Sequence, residues 1–422
     1  MAHCPPRWLG RAHPRFTSLS RVHCKLPACM SIKKIALVYF NAGGGHRAAA
    51  MALQQVLQAP EQPPCEVRLV NLIELLDPPQ RFKRATGLAP EDLYNLRLAR
   101  GWTMGLAQEL KLLQGMIRMA HPWLLRTLRA HWDATAPDLV VSLIPNFNRA
   151  LYESVMASPG RRCATVMTDL ADHPPHFWIE PGQPAQVLVC GTPRAAAQAL
   201  AAGHAPAQVK RVSGMVLRPA FHGLAPLAAD ERAERQRALG LHSGRPIGLV
   251  MFGGQGSMQM LRIARGLPEV QLVLVCGHNA RLATRLHALA TAAPGGPHAV
   301  LGFVPDMAGL MQLADFFIGK PGPGSLSEAV QMGLPVVTFE NRWTMPQERY
   351  NAHWVRNEGL GEVVDSVKAV PEGVARLLDQ LPQRRSRVLQ VRNRAVFEVA
   401  ALLRELAGVS TAAAVEPALA VD

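Results

Sequence analysis

Residues 315–351, DFFIGKPGPGSLSEAVQMGLPVVTFENRWTMPQERYN, constrain the fold more than any other stretch of the chain. A short apolar strand, Phe316 to Ile318, runs into a loop where Gly319, Gly322 and Gly324 are interleaved with Pro321 and Pro323. A helix is expected from Ser325, with Glu328 in its first turn. Such a junction leaves backbone N–H groups unpaired and pointing outward, the helix dipole favours an anion, and missing side chains let an oxygen approach. The stretch therefore predicts a phosphate site. Glu328 suits the vicinal hydroxyls of a ribose. The competing reading makes Ser325 and Glu328 a capping box, S-x-x-E, among ordinary turn glycines. Gln347, Glu348 and Asn351, at the next helix start, supply amide and carboxylate groups for hydroxyls and tip the reading toward a ligand.

The strand, glycine loop, helix pattern recurs at the start of each half. IALVYF (35–40) leads into Asn41-Ala42-Gly43-Gly44-Gly45 and a helix from His46, and PIGLVMF (246–252) into Gly253-Gly254-Gln255-Gly256-Ser257 and a helix. Further strands are expected at 66–72, 138–144, 163–168 and 186–190, then at 270–277, 298–303 and 335–339. Apolar strands alternating with Ala-rich helical stretches predict an α/β protein, and 422 residues fit two domains. The expected division is a disordered basic tail over 1–30, a first domain over 31–216, a linker region over 217–243 and a second domain over 244–382. Residues 383–422 are read as a crossing helix, roughly 383–407, and a tail. Met30 lies just before the first strand, so an over-long start explains the tail as well as a function does.

The net charge of +14 favours a polyanion or an anionic membrane surface, since both act through the same field. With four Tyr and no interleaving of basic residues with stacking aromatics, a specific nucleic-acid partner is not expected. The seven cysteines form no C-x-x-C pair and read as reduced, buried residues of a cytosolic protein. No run of eighteen apolar residues could span a bilayer. Residues 81–132 interrupt the α/β pattern with nine Arg/Lys against three acids, beside Leu88, Trp102, Met104, Leu106, Leu112, Leu113, Met116, Ile117, Trp123 and Leu124. Such a segment can lie in the lipid headgroup layer or pack its apolar face on the sheet.

Three clusters bear on chemistry. Gly43-Gly44-Gly45-His46 sits at a strand's carboxyl end, where open α/β folds bind ligands, and His46 is placed to act as a general base on a hydroxyl or to serve structure alone. Asp169 and His173 follow the strand at 163–168 and can orient one another, with Trp178 as a wall. Zinc at His173 and His176 lacks further ligands at a recognisable spacing. Gly253 to Ser257 repeats the phosphate cradle, and Phe303 to Met307 can present backbone groups to a base edge or form a simple turn. No D-x-D run occurs, so helix N-termini and backbone amides, without a divalent ion, can hold a diphosphate.

Together these residues resemble the two-domain GT-B glycosyltransferases, and among them the monogalactosyldiacylglycerol synthase and processive diacylglycerol glucosyltransferase family. More distantly, the chain is similar to the N-acetylglucosaminyltransferase of peptidoglycan lipid intermediates. The motifs run in order from Gly43 to Asn351: G-G-G-H-R-A, T-D-L followed by H-P and aromatics, G-G-Q-G-S, K-P-G-P-G-S-x-S-E-A, and Q-E with Asn three residues after the Glu. The resemblance implies two Rossmann-like domains with parallel sheets facing an interdomain cleft. It implies transfer of a hexose, with inversion, from a UDP-sugar to a lipid acceptor such as diacylglycerol, with no cofactor or obligatory metal. The enzyme would be cytoplasmic and peripheral on the inner face of the cell membrane, held there by an anionic surface through 81–132. Carried over by position, Glu328 meets the uridine ribose, Gly254, Gly256, Gly324 and Ser325 lie near the diphosphate, and Gln347, Glu348 and Asn351 meet the sugar. Ser257 and Phe303 join the donor side, and Gly44, Gly45 and Trp178 the acceptor side. His46 is the expected catalytic base, with Asp169 and His173 as partners or alternatives. The stretch Asn341 to Pro346 departs from the glycine-led version expected of the diacylglycerol enzymes and leaves the sugar open. Two rivals stand beside this reading: a UDP-sugar epimerase of the same fold, and a basic nucleic-acid-binding protein.

Overall fold

The computed structural model describes residues 32–41, 44–77, 106–292 and 298–409. The expectations for the tail at 1–30, Ala42, Gly43 and all of 81–105, including Leu88, Trp102 and Met104, lie outside the described residues.

Twelve strands form two parallel six-stranded sheets among the described residues. The first contains β1 (Lys33–Tyr39), β2 (Cys65–Asn71), β3 (Leu139–Ser142), β4 (Arg162–Val166), β5 (Gln186–Cys190) and β6 (Val209–Arg211), in the order β2-β1-β3-β4-β5-β6. The second contains β7 (Ile247–Met251), β8 (Gln271–Val275), β9 (His298–Leu301), β10 (Phe316–Gly319), β11 (Val336–Phe339) and β12 (Gly361–Val364), in the order β12-β11-β10-β7-β8-β9. The short strands β6 and β12 are additions to the sequence reading. All ten strand pairings are parallel, so helices must cover both faces, and the strands read as unbroken apolar runs.

The pleat sends alternate residues to opposite layers. On β1, Ile35 and Leu37 enter one core cluster, while Ala36 and Val38 enter another. On β7, Leu249 and Met251 face one layer and Val250 the other. The chain reverses its direction of travel across the first sheet between β1 and β3, and across the second between β7 and β10. At such switch points the loops leaving the carboxyl ends splay apart and open a crevice. The four loops that leave these strands include all three glycine stretches singled out from the sequence.

The helix Ala395–Ala407 returns to the first half, where Val396, Val399, Ala400 and Leu403 pack in the same cluster as Ile35 and Leu37. The single helix expected over 383–407 is in fact two, Leu381–Val388 and Ala395–Ala407. Asn393 accounts for the break: its Oδ1 accepts from the Ala395 amide at 2.9 Å and its Nδ2 donates to the Met215 carbonyl at 2.9 Å, so its side chain competes with helical bonding. Residues 217–243 are no free tether. Leu217, Phe221 and Leu241 belong to a core cluster of the second half, and Arg232 pairs with Asp315 at 2.9 Å.

The helices Leu106–Met119 and His121–Thr135 pack on the first sheet by one face and leave the other open. Leu112, Leu113, Met116 and Trp123 are exposed, as is Met119, whereas Leu124 is buried and Ile117 packs against the core, so each of the two alternatives read for this segment holds for part of its residues. Among the described residues no helix is long and apolar enough to cross a membrane, and Cys65, Cys163, Cys190 and Cys276 are free and buried.

Candidate active site

In the second half, β10 ends at Gly319 and the helix Pro323–Gln331 follows after three residues. The helix opens at Pro323, two residues earlier than expected, because proline's fixed φ suits the first helical position and its missing N–H costs nothing there. Gly322 occupies the N-cap with no side-chain hydrogen bond. Ser325 and Glu328 thus lie inside the helix, Glu328 in its second turn, and the capping-box reading fails. The first-turn amides are left without a side-chain cap, and a Cβ at Gly324 would meet nothing within 4 Å, so the space in front of them is open. Glu328 is half-buried. Burial raises its carboxyl to about 7, and Arg218, on the crossing between the halves, acts in the opposite direction.

The loop after β7 is shaped for close backbone approach. Gly253 and Gly256 have φ of 72° and 58°, in the left-handed region that favours glycine. A Cβ on Gly256 would lie 2.9 Å from the Cys276 carbonyl. The loop is fixed to the end of β8, since the His278 amide donates to the Gly254 carbonyl at 2.9 Å. Ser257 Oγ accepts from the Gln259 amide at 3.3 Å, at the start of the helix Gln259–Gly266. Phe303, exposed after β9, stacks on His278 with ring centroids 4.5 Å apart.

The helix Pro346–Asn357 carries Gln347, Glu348 and Asn351. Glu348 and Asn351, three apart, share a face and turn toward the β10 loop. Glu348 Oε1 accepts from Lys320 Nζ at 2.9 Å, and Asn351 Nδ2 donates to the Pro321 carbonyl at 2.7 Å. Asn351 Oδ1 is buried without a partner. Gln347 Nε2 contacts Met345 Sδ at 3.7 Å.

In the first half, Gly44 holds the N-cap of the helix Gly45–Leu57 with φ of 80°, and His46 is the second helical residue. Its Nδ1 lies 2.9 Å from Thr168 Oγ1, and Phe40 meets the ring edge-on at 4.8 Å. The ring is partly accessible, yet burial lowers its pKa to about 4, with the Leu143 backbone opposing, so it is neutral at physiological pH. Asp169 is buried, and its Oδ2 accepts from Trp178 Nε1 at 2.8 Å. Trp178 in turn stands 6.0 Å from the His46 ring.

Asp169 does not orient a histidine. Both ring nitrogens of His173 are buried without a partner, burial lowers its pKa to about 4, and its ring sits 6.4 Å from Trp178. Gln198 holds the His173 backbone instead. His176 pairs with Glu180 at 2.6 Å, and among the described residues no group of three His, Cys, Asp or Glu could hold a metal ion, which leaves the zinc alternative without support.

Asp169 feels charges from the second half as well as its own surroundings. Burial raises its carboxyl to about 7 against the Trp178 hydrogen bond, Glu348 adds to the rise and Lys320 opposes it. Two groups on the second half thus act on a carboxyl of the first. A cavity of about 520 Å³ also lies between the halves, with Leu170, Thr192 and Arg194 on one side and Ser327, Tyr350 and Trp354 on the other. Neither His46 nor Glu328 lines it. Sequence reasoning named His46, Asp169, Trp178, Glu328 and Glu348 but missed Thr168, Lys320 and Arg218 as their neighbours. Thr168 and Lys320 stand inside quoted motifs, whereas nothing local marks Arg218.

Residues 250–405 match the Glycosyltransferase family 28 C-terminal domain. The chain is 27% identical over 371 residues to monogalactosyldiacylglycerol synthase, chloroplastic, of Spinacia oleracea, covering 82% of this chain and 66% of that one. It is 29% identical over 249 residues to the processive diacylglycerol beta-glucosyltransferase of Bacillus pumilus (strain SAFR-032), covering 57% and 61%. The chain thus spans just under two thirds of the length of these curated relatives. The crystal structure of Acinetobacter baumannii MurG superposes with a TM-score of 0.55 over 89% of this chain and 99% of that one, and at 14% identity this likeness shows the fold alone. The fold is GT-B, two Rossmann-like halves each built on a six-stranded parallel sheet, and the second half matches the Glycosyltransferase family 28 C-terminal domain within a chain similar over four fifths of its length to the monogalactosyldiacylglycerol synthase of Spinacia oleracea.

Proposed function

We propose that this chain is an inverting glycosyltransferase that moves a hexose from a UDP-sugar to the hydroxyl of a lipid such as diacylglycerol. The observation that carries the reading is the pairing of two switch points, one with an uncapped helix N-terminus over an open glycine, the other with a neutral histidine. On the donor side, the amides of Gly324 and Ser325 and the loop from Gly254 to Ser257 hold the diphosphate, Glu328 holds the ribose hydroxyls and the Phe303 region faces the base. Gln347 and Glu348 bind sugar hydroxyls, and Asn351 supports them by holding Pro321. On the acceptor side, Gly44 and Gly45 shape the approach to His46, and Trp178, fully buried, forms the wall behind His46 and Asp169. In the tautomer whose Nδ1 donates to Thr168 Oγ1, His46 keeps the Nε2 lone pair for the acceptor hydroxyl. The oxygen attacks the anomeric carbon as the bond to UDP breaks, the hydroxyl proton passes to His46, and the departing charge falls on the helix N-terminus. Asp169 stabilises the imidazolium as it forms; His173 lines the same wall.

The reading takes the diphosphate to be neutralised by backbone amides and Lys320, without an obligatory metal. It also places the enzyme at the inner face of the cell membrane. In its support, Leu112, Met116, Met119 and Trp123 are 64%, 48%, 80% and 46% exposed on one pair of helices that also carries Lys111, Arg118, Arg126 and Arg129. The test is UDP release by the purified protein with UDP-galactose, UDP-glucose and UDP-N-acetylglucosamine, each with dispersed diacylglycerol. Acceptor-dependent release supports transfer. Conversion of a UDP-sugar without any acceptor supports the epimerase instead, and no turnover of any donor ends the proposal.

A further inference from the structure

The cavity of about 520 Å³ between the halves is lined by both stretches through which the chain passes from one half to the other. Ser213 and Gly214 lie on one stretch, Val391 and Asn393 on the other. The Arg394 amide donates to Ser213 Oγ at 2.7 Å and Asn393 Nδ2 to the Met215 carbonyl at 2.9 Å, so the two passages are stitched together there. The remaining walls come from different halves. Arg194 stands on the helix Pro193–Ala201 of the first, while Ser327, Tyr350 and Trp354 stand on the two donor-side helices of the second, with Glu358 just beyond. Ser327 and Tyr350 precede Glu328 and Asn351 in the chain, but successive residues of a helix point about 100° apart. The cavity therefore meets a different face of those helices from the groups assigned to the donor.

Several of its polar groups lack protein partners. Ser327 is 6% exposed, and its Oγ makes no hydrogen bond among the described residues. A buried hydroxyl of this kind is satisfied by a ligand or a water. The Tyr350 hydroxyl, the Trp354 indole N–H and the Glu358 carboxylate likewise have no partner among the described residues. Arg194 donates through Nε to Asp172 Oδ1 at 2.8 Å, which leaves both Nη groups for another acceptor. Groups of both halves act on one phenol: burial raises the pKa of Tyr350, the charges of Asp172 and Glu358 add to the rise, and Arg194 opposes it.

We propose that this cavity is a second binding site, for the neutral hexose ring of a free sugar or a glycoside, whose occupant braces the two halves. Two aromatic rings suit the apolar C–H faces of such a ring, while the hydroxyl, indole, guanidinium and carboxylate groups suit its hydroxyls. With one cation and one anion in the lining, an ionic ligand of either sign meets a like charge. An occupant held by Arg194 on one side and by Tyr350 and Glu358 on the other touches both halves beside the two passages. That the site is second to a donor site rests on the glycosyltransferase reading above; the cavity and its lining do not.

Titrated saturation-transfer NMR on the purified protein, with glucose, galactose and their methyl β-glycosides, reads the binding. A site for a head group takes glycoside and free sugar alike, and a site for free sugar rejects the anomeric methyl; transfer to either class supports the proposal. Arg194→Gln combined with Glu358→Gln should weaken the hexose about tenfold and Tyr350→Phe about threefold, ordinary sizes for lost hydrogen bonds. Arg194 and Glu358 are exposed and phenylalanine keeps the Tyr350 packing, so these variants should melt as wild type does. Glu348→Ala, in the donor pocket, should leave the hexose signal unchanged. In wild type the hexose should also slow hydrogen exchange of the amides at 213–217 and 391–395. No transfer to any of the four sugars, or a signal lost in Glu348→Ala and kept in the cavity variants, overturns the site, and unchanged exchange at both passages overturns the bracing. Failure of wild type to bind UDP, by contrast, defeats the glycosyltransferase reading and leaves the cavity result standing.

Discussion

His46 and Thr168, 122 positions apart in the chain, meet through a 2.9 Å contact between Nδ1 and Oγ1. That contact orients the ring, and the proposed mechanism uses the tautomer that donates from Nδ1 and leaves Nε2 free. His46→Ala should lower kcat by roughly 10²- to 10⁴-fold, the range for loss of a general base, with little change in KM for the donor. Thr168→Val, which removes only the orienting hydrogen bond, should cost roughly three- to tenfold. Steady-state kinetics with varied donor separate the two, and wild-type kcat in His46→Ala would remove the histidine from the mechanism.

Asp169 gives a pH signature that His46 cannot. Its carboxyl stands at about 7 against an ordinary 3.8, whereas His46 at about 4 stays neutral throughout the neutral range. If the Asp169 charge stabilises the imidazolium, kcat/KM should rise with pH through about 7 and lose that limb in Asp169→Asn. Stability should run the other way. A raised carboxyl binds its proton more tightly in the folded state, so stability is greatest below the unfolded value near 4 and declines as pH rises toward about 7. Melting temperatures between pH 4.5 and 8 should fall more steeply for wild type than for Asp169→Asn, the difference being roughly 1–3 kcal/mol. Parallel curves for the two proteins would contradict this assignment.

Burial holds the Glu328 carboxyl at about 7, and the charge of Arg218 opposes that rise. Ribose hydroxyls donating to the carboxylate favour its charged form, so UDP binding should release a proton near pH 6.5. Glu328→Ala should weaken UDP by about 1.5–3 kcal/mol, the value of hydrogen bonds to a charged group. Calorimetry in buffers of different ionisation enthalpy reads both affinity and proton release. Tight binding by the variant would move the ribose elsewhere.

Metal independence is tested directly. With the diphosphate held by the Gly324 and Ser325 amides, excess EDTA should leave the initial rate within about twofold of the untreated enzyme, because preorganised backbone donors need no exchangeable ion. A large loss on chelation that magnesium restores would require a cation at the diphosphate.

Arg404 tests the closing helix. Its buried guanidinium donates through Nη2 to the carbonyls of Val56 and Leu57 at 3.2 and 2.7 Å, at the C-terminal end of the helix that carries His46. Arg404→Ala leaves the Val56 carbonyl with the Ala59 amide and the Leu57 carbonyl with the Cys65 thiol, both long contacts, and should cost roughly 1–3 kcal/mol in denaturant unfolding. An unchanged midpoint would show that solvent replaces the guanidinium freely.

Much of the architecture is local and therefore legible. The strands β1, β7 and β10 are apolar on both faces because a parallel sheet is covered twice, and their glycine loops announce helix starts at carboxyl ends. Asn393 shows the limit of that reading. The periodic pattern through 383–407 looks continuous, and the break depends on a carbonyl at Met215, 178 residues away. The start at Pro323 was readable in principle, since proline favours the first helical position, but the S-x-x-E spacing of Ser325 and Glu328 masked it.

By itself, then, the sequence determined the two α/β halves, the glycine loops and the polar residues standing beside them, because hydrophobic period and backbone freedom act over a few neighbouring residues. Tertiary structure alone decided that Thr168 orients His46, that Trp178 rather than a histidine holds Asp169, and that Lys320 and Glu348 act on that same carboxyl. Hydrogen bonding and charge act through space, so partners brought together by the order of strands leave no mark at either position in the chain.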